Sequence, residues 1–185
     1  MFLIIGCMSF VVMCLGDIFY LKTNNRYVRL FFPLGLLCCL ASTFYFCIKS
    51  NFLLYRSLPI IIVFIVFSII FLFLLIYSLF FALPSTDTYS VNGTIKKTCD
   101  NGVYALCRHP GIIWFSLFYL SLWGAGLVPW YISLIFSVEN LIYAIVQDIY
   151  IFSKTIPRYN EYKKNTPFLI PNINSIKKCI NTITK

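Results

Sequence analysis

The fold of this chain is decided by residues 58–83, LPIIIVFIVFSIIFLFLLIYSLFFAL, a stretch that contains no charged side chain. A helix rises 1.5 Å per residue, so about 20 apolar residues cross the hydrocarbon core of a bilayer. The stretch is long enough and apolar enough to do so. It predicts a transmembrane helix.

The rest of the chain has the same character. Of its 185 residues, 60% are hydrophobic, 19% are aromatic and only 11% are charged. A soluble domain of this size cannot bury so much apolar surface, whereas lipid can cover it. Four more segments are candidates for spanning helices, at 1–21, 27–48, 110–126 and 127–152. We therefore predict an all-α fold, a polytopic membrane helical bundle of about five transmembrane helices, in a single membrane domain at 1–185.

The bundle is expected to have three parts. Residues 1–96 form an N-terminal three-helix part, residues 97–173 a part that carries most of the polar motifs, and residues 174–185 a basic tail. The last two predicted spans are separated only by Gly124-Ala-Gly-Leu-Val-Pro129. This short link predicts a helical hairpin, with Pro129 in the first turn of the second helix, where its missing N–H costs nothing.

The distribution of charge predicts the topology. The first segment lacks a preceding basic residue and a clear cleavage site, so we interpret it as a retained helix rather than a signal peptide. With five spans and the N-terminus outside, thirteen of the fifteen Lys and Arg residues lie on the inner side. The positive-inside rule then favours an integral, multi-pass protein with a cytoplasmic C-terminus. The net charge of +9 is explained by anionic membrane lipids and requires no nucleic acid.

Familiar metal and nucleotide motifs do not occur in the sequence. The eight cysteines are scattered, and they form neither a C-x-x-C pair nor a Cys/His cluster with metal-ligand spacing. There is no Gly-x-Gly-x-x-Gly, P-loop or Gly-x-Ser-x-Gly motif. We expect no metal site and no soluble nucleotide-binding fold.

Three acidic residues lie within the apolar segments, where ionisable groups are functional candidates by default. Asp17 stands near Lys22, and we interpret it as a terminal charge that extends toward the membrane surface. Glu139 and Asp148 are nine residues apart on the last helix, which places them on nearly opposite sides. Asp148 shares its predicted face with Gln147 and is the stronger candidate, whereas Glu139 is a weaker one.

The loop before the fourth helix contains Arg108-His109-Pro110 and the only histidine of the chain. Proline suits the first helical turn, so His109 is expected at or near the N-cap. Free N–H groups at that helix end, together with the Arg108 guanidinium, favour an anion such as a carboxylate or phosphate. The alternative, equally compatible with the residues, is that Arg108 meets lipid phosphate and His109 only caps the helix.

These motifs together resemble the isoprenylcysteine carboxyl methyltransferase family and its phospholipid methyltransferase relatives. The resemblance covers about residues 97–173, and its order and spacing are specific. The matching positions are Gly102, Tyr104, Arg108, His109, Pro110, Asp148, Tyr159, Glu161, Tyr162, Lys163, Lys164, Pro167 and Pro171.

The resemblance implies an S-adenosylmethionine-dependent methyltransferase with its cofactor on the cytoplasmic side. It implies catalytic roles for Arg108, His109 and Asp148. The implied cofactor-binding residues are Tyr104, Arg108, His109, Pro110, Gln147, Asp148, Tyr159 and Tyr162. The implied acceptor is a lipid-like or lipidated membrane molecule that carries either a carboxylate, as in isoprenylcysteine, or an amine.

The chain departs from the family pattern at three places. It has Ile112 where the family usually has tyrosine, Gln147 where an acidic pair is typically Glu-Glu, and Ile156-Pro157 where a glycine is often found. Two alternatives therefore stay open. One is a non-catalytic membrane scaffold with a decayed site. The other is an NADPH-dependent sterol-type reductase, whose related Arg-His-Pro loop normally continues Asn-Tyr.

Overall fold

The computed structural model describes residues 1–50, 56–82 and 100–183, and these residues form helices and connecting turns without a β-strand. The helices long enough to frame the molecule are α1 (Phe2–Thr23), α2 (Phe31–Lys49), α3 (Leu58–Ile76), α5 (Pro110–Gly124) and α6 (Trp130–Val146). The shorter helices are α4 (Val103–Leu106), α7 (Phe152–Thr155), α8 (Tyr159–Asn165) and α9 (Ile173–Ile183). The predicted all-α fold is confirmed.

Four stretches of helix in the described residues are long and apolar enough to cross a membrane: Phe2–Thr23, Tyr27–Lys49, Leu58–Phe81 and Trp130–Thr155. Two of them extend α3 and α6 through π-helical turns at Tyr77–Phe81 and Gln147–Ile151. The remaining predicted span, 110–126, is the 15-residue helix α5. Its length of about 22 Å falls short of a hydrocarbon core about 30 Å thick.

Helices α1, α2, α5 and α6 pack around one apolar core. The buried side chains of this core are Phe10, Met13, Cys39, Tyr119, Leu122, Val128, Ile132, Phe136 and Tyr143. Helix α3 lies against the outside of α5 and is mostly exposed, as expected of a helix that faces lipid. Its Phe64 ring fills the space beside Gly124, where any added Cβ would collide with it.

The hairpin between α5 and α6 forms as a tight turn, with one difference from the prediction. Gly126 takes a left-handed conformation with φ 78°, which is the conformation that favours glycine. Pro129 is the N-cap of α6 in extended conformation, and the helix begins one residue later at Trp130. The Ser50 hydroxyl donates to the Gly126 carbonyl and ties the end of α2 to this turn.

The opposite end of the bundle carries the polar residues. There α1 is joined to α6, the π-helical end of α3 is joined to α4, and α4 is joined to the segment that follows Thr155. We call this the polar end of the bundle. Lys96 and Lys97, which the topology prediction assigned to the inner side, lie outside the described residues.

Candidate functional site

The entrance to α5 is built by local sequence. Gly102 has φ +56°, which allows the chain to turn into the short helix α4. His109 is the N-cap of α5 and Pro110 begins the helix, as the sequence predicted. The Arg108 and His109 amides donate to the carbonyls of Pro167 and Phe168, at 2.9 Å and 3.2 Å. The C-terminal segment therefore occupies the amides before the helix.

Asp148 is the centre of the site. Its carboxylate is buried, with the residue only 3% exposed. Arg108 donates to it from Nε at 2.9 Å and from Nη2 at 3.2 Å, and Lys163 Nζ lies 2.8 Å from Oδ2. The Tyr159 hydroxyl donates to Oδ1 at 2.6 Å, and His109 Nε2 lies 3.3 Å from the same oxygen. A single carboxylate thus holds together the α5 entrance, α6 and α8.

Arg108 makes the second half of this connection. Its Nη1 donates to the carbonyls of Lys163 and Thr166, at 2.9 Å and 3.0 Å. A bidentate Arg–carboxylate pair is among the stronger hydrogen-bonded contacts, and it fixes orientation as well as distance. The guanidinium therefore holds neither an external anion nor a lipid phosphate in this arrangement, because internal acceptors surround it.

His109 is held by aromatic rings. Its imidazole lies parallel to the Phe152 ring with centroids 5.8 Å apart, and it packs on the Phe168 ring at 4.9 Å. Its side chain makes no capping hydrogen bond to α5. The capping role considered from sequence thus belongs to the backbone of His109, while its ring is directed at Asp148.

Two tyrosines join the site to the rest of the bundle. The Tyr104 hydroxyl donates to the Ser78 carbonyl at 2.9 Å and connects α4 to the end of α3. The Tyr162 hydroxyl donates to the Tyr104 carbonyl at 2.6 Å. The Tyr162 ring also packs against the Tyr159 ring. Seven of the eight predicted cofactor-binding residues therefore belong to the network around Asp148 and the α5 entrance, and Gln147 is the exception.

Gln147 does not share a site with Asp148. Its Nε2 donates to Asp17 on α1 at 2.9 Å, and the Tyr143 hydroxyl donates to the same carboxylate oxygen at 2.7 Å. Adjacent residues of a helix project about 100° apart, so Gln147 and Asp148 meet different neighbours. Asp17 is thus not the terminal charge beside Lys22 that the sequence suggested. It joins α1 to α6.

Glu139 is the one acidic residue within α6, and its side chain contacts Cys7 of α1. Its buried Oε2 has no hydrogen-bond partner among the described residues. As predicted from the helical period, it lies away from Asp148 and takes no part in the polar cluster.

Two groups of the site that lie outside the spanning helices have shifted pKa values. Burial, and next the hydrogen bond to Asp148, raise the pKa of Tyr159 well above its usual range. The phenol therefore remains a neutral donor at physiological pH. Burial raises the pKa of the Cys107 thiol to about 11. Cys107 is thus a packing residue of low reactivity rather than a nucleophile.

Sequence reasoning missed three members of the site. The resemblance implies no role for Lys163, yet its ammonium group binds Asp148. Phe168 packs on His109 and lies under the Arg108 guanidinium at 5.7 Å. Thr166 is only 2% exposed, and its Oγ1 finds no partner among the described residues. The Tyr-x-x-x-Thr-Pro spacing places Thr166 one turn after Tyr162, which was the available signal.

The ionic groups of the site are unequal in number. The Asp148 carboxylate faces two permanent cations, Arg108 and Lys163. Lys163 is the more accessible of them, with its side chain 30% exposed against 9% for Arg108. The surplus positive charge is therefore at the Lys163 side, nearest to solvent.

Among the described residues no group of three His, Cys, Asp or Glu side chains is placed to hold a metal ion. Comparisons with protein-family models, with curated proteins and with solved structures give no match to this chain.

Proposed function

We propose that this chain is an integral-membrane methyltransferase that uses S-adenosylmethionine and methylates an amphiphilic acceptor that arrives through the bilayer. The acceptor carries a carboxylate, as in isoprenylcysteine, or a lipid amine. The proposal includes a multi-pass topology with the N-terminus outside and the polar end in the cytoplasm.

One observation carries this proposal. The residues that resemble a methyltransferase motif are distant in sequence, yet Tyr104 and Tyr162, 58 positions apart, are in direct contact. Arg108 and Asp148, 40 positions apart, form a bidentate pair. This convergence supports the proposal, because the residues of a functional site meet in space although they are distant in sequence.

The residues that we propose for cofactor binding differ from those that the resemblance implied. Arg108 and Asp148 satisfy each other, so neither offers a free group to the amino-acid carboxylate or to the sulfonium. The Thr166 hydroxyl, which has no partner among the described residues, and the surplus cation at Lys163 suit the polar end of the cofactor. The half-buried rings of Phe152 and Phe168 suit a cationic sulfonium.

Bound S-adenosylmethionine supplies an activated methyl group for transfer to a nucleophile. The residues of the chain then have mainly positioning duties. The Arg108–Asp148 pair holds the α5 entrance against the C-terminal segment, and the packed rings exclude water from it. A carboxylate acceptor requires no base. An amine acceptor must lose a proton, and His109 is the candidate base because its imidazole lies within the cluster.

Calorimetric titration of the purified full-length protein tests the proposal. We expect S-adenosylmethionine and S-adenosylhomocysteine to bind the wild-type chain and NADPH not to bind. Thr166→Val removes this hydroxyl while keeping the side-chain shape. We expect it to weaken binding of both adenosyl compounds by about tenfold, the effect of losing one hydrogen bond to a charged group.

Thr155→Val is the matched control, because the Thr155 hydroxyl donates to the Ile151 carbonyl within its own helix. It should leave both affinities unchanged. Arg108→Ala is unsuitable here, since it strands a buried carboxylate and disturbs folding. Absence of binding by both adenosyl compounds to a folded wild-type protein would refute the methyltransferase proposal, and binding of NADPH instead would favour the reductase.

A membrane scaffold is the second candidate function. The specific observation in its favour is that Arg108, Asp148, Tyr159 and Tyr162 all find partners within the protein. A cluster used only to fix the C-terminal segment would look the same. The titration separates the two candidates, because a scaffold binds neither adenosyl compound.

A further inference from the structure

Helix α9 presents three distinct faces around its axis. Successive residues project 100° apart, which separates eleven residues into sectors. One sector packs on α4 and the turn before it: Ser175 and Cys179 are buried, Lys178 binds Asp100, and the Thr182 hydroxyl oxygen accepts from the Gly102 amide. This contact fixes the rotation of the helix relative to the bundle.

The other two sectors are exposed and opposite in character. One is apolar and consists of Ile173, Ile176 and Ile180, which are 71%, 43% and 56% exposed. The other is polar and consists of Asn174, Lys177 and Asn181. A soluble surface helix points its apolar stripe at the core, whereas here the core-facing sector is the mixed one.

The position of α9 shows what meets the apolar sector. The helix packs on α4, and α4 ends at Leu106, four residues before α5 begins at Pro110. Helix α9 therefore lies beside the polar end of the bundle, where the long apolar helices terminate. Its beginning is firmly set, since Asn172 and Ser175 exchange reciprocal hydrogen bonds between amides and side chains.

The charge of the C-terminal region indicates which kind of surface contacts the apolar sector of α9. From residue 154 onward the chain has seven Lys and Arg residues but a single acidic residue, Glu161. Such a balance complements anionic lipid headgroups and repels a second copy of the same basic segment.

We propose that α9 lies in the interface of an anionic bilayer leaflet, with Ile173, Ile176 and Ile180 at the level of the upper acyl chains. Lys177 and its polar neighbours face the headgroups and water. The helix is thus a lateral anchor that fixes the C-terminal segment at membrane depth. This inference is independent of methyl transfer.

Photocrosslinking of the full-length protein tests the placement. A p-benzoylphenylalanine is introduced at residue 176 or, as the matched control, at residue 181, and the protein is reconstituted in phosphatidylcholine–phosphatidylserine vesicles. We expect lipid adducts by mass spectrometry to be at least about fivefold more abundant at residue 176, as for the buried side of an interfacial helix. The same probe at residue 180 provides a second apolar position if the first variant folds poorly.

Equal lipid adducts at residues 176 and 181 would overturn the proposal, and so would crosslinks at residue 176 that join two copies of the chain. Hydrogen exchange tests the role of charge. Amides of residues 173–183 should exchange several-fold more slowly in vesicles with phosphatidylserine than in phosphatidylcholine alone, and Lys177→Glu should reduce that difference. Identical exchange in both lipids would refute recognition of an anionic surface.

Discussion

Two acidic residues, one in α6 and one in the π-helical turn that extends it, differ in how their buried oxygens are satisfied. Asp148, in the π-helical turn at the polar end, is surrounded by donors from Arg108, Lys163 and Tyr159. Glu139, nine residues earlier, has a buried oxygen without any hydrogen-bond partner among the described residues. Burial in apolar surroundings makes an oxygen without a hydrogen-bond partner costly. The same burial strengthens the contacts of a carboxylate whose oxygens all have partners.

The difference shows which part of the bundle depends on specific polar contacts. At the polar end, directional hydrogen bonds and ion pairs join segments that are distant in sequence, and these contacts fix the position of each segment. The middle of the bundle is held mainly by apolar packing, and there Glu139 contacts Cys7 of α1 while its Oε2 has no partner among the described residues. The polar end should therefore be sensitive to small chemical changes, and Glu139 should tolerate replacement.

The largest expected effect follows from removing the Asp148 carboxylate. Asp148→Leu leaves Arg108 buried without its partner and should lower the free energy of unfolding by about 3–5 kcal/mol. The double variant Arg108→Met/Asp148→Leu should recover a large part of that loss, because both charges are then absent. Chemical unfolding in detergent micelles measures both values. An Asp148→Leu protein as stable as the wild type would contradict the central role of this carboxylate.

The second effect concerns Tyr159 and depends on pH. Tyr159→Phe removes a donor to Asp148 and should cost about 1–3 kcal/mol at neutral pH. Because burial and the Asp148 contact raise the pKa of the native Tyr159, the unfolded phenol ionises first, above about pH 10. The stability of the wild type should therefore fall with rising pH in that range, and the fall should be less steep in Tyr159→Phe. Identical pH profiles of unfolding would show that Tyr159 is not held as a neutral donor.

A third change tests the other side of the comparison. The Glu139 carboxyl has one buried oxygen without a partner among the described residues. Glu139→Leu puts an apolar side chain of similar size in its place. It should raise the free energy of unfolding by about 1 kcal/mol, since the unsatisfied oxygen is removed. Thermal unfolding in micelles measures this. A marked loss of stability would instead mean that the contact of Glu139 with Cys7 outweighs the cost of its unsatisfied oxygen.

The smallest effect distinguishes two neighbouring lysines. Lys163 binds the Asp148 carboxylate, whereas Lys164 is exposed. Lys163→Ala should cost up to about 1 kcal/mol, because its partly exposed charge is screened by solvent. Lys164→Ala should be neutral within about 0.5 kcal/mol. Equal losses in the two variants would mean that the Lys163 contact contributes nothing specific.

The sequence predicts the class of fold well, because lipid imposes a simple rule. An uninterrupted apolar stretch such as 58–83 has few alternatives to a spanning helix. The boundary between Arg-His-Pro and α5 was predictable for a similar reason, since proline favours the first helical turn. The length of α5 was not predictable, because the apolar sequence continues past Gly124 although the helix ends there.

The partners inside the site were less predictable. Gln147 and Asp148 are adjacent in sequence, and only tertiary packing sends one to Asp17 and the other to Arg108. The roles of Lys163 and Thr166 depend on how the C-terminal segment folds back onto the α5 entrance. That return path is set by backbone contacts from Arg108 to Pro167, which no local pattern encodes.

Transfer of a labelled methyl group tests the central claim most directly. Vesicles that contain the full-length protein are incubated with S-adenosylmethionine carrying a deuterated methyl group, isoprenylcysteine and a phosphatidylethanolamine. The lipid extract is then examined by mass spectrometry. The proposed function predicts that the label appears in one acceptor class, at a rate about tenfold lower in Thr166→Val than in Thr155→Val when the cofactor is subsaturating. A folded wild-type protein that transfers no label to either acceptor and binds no S-adenosylmethionine would contradict it.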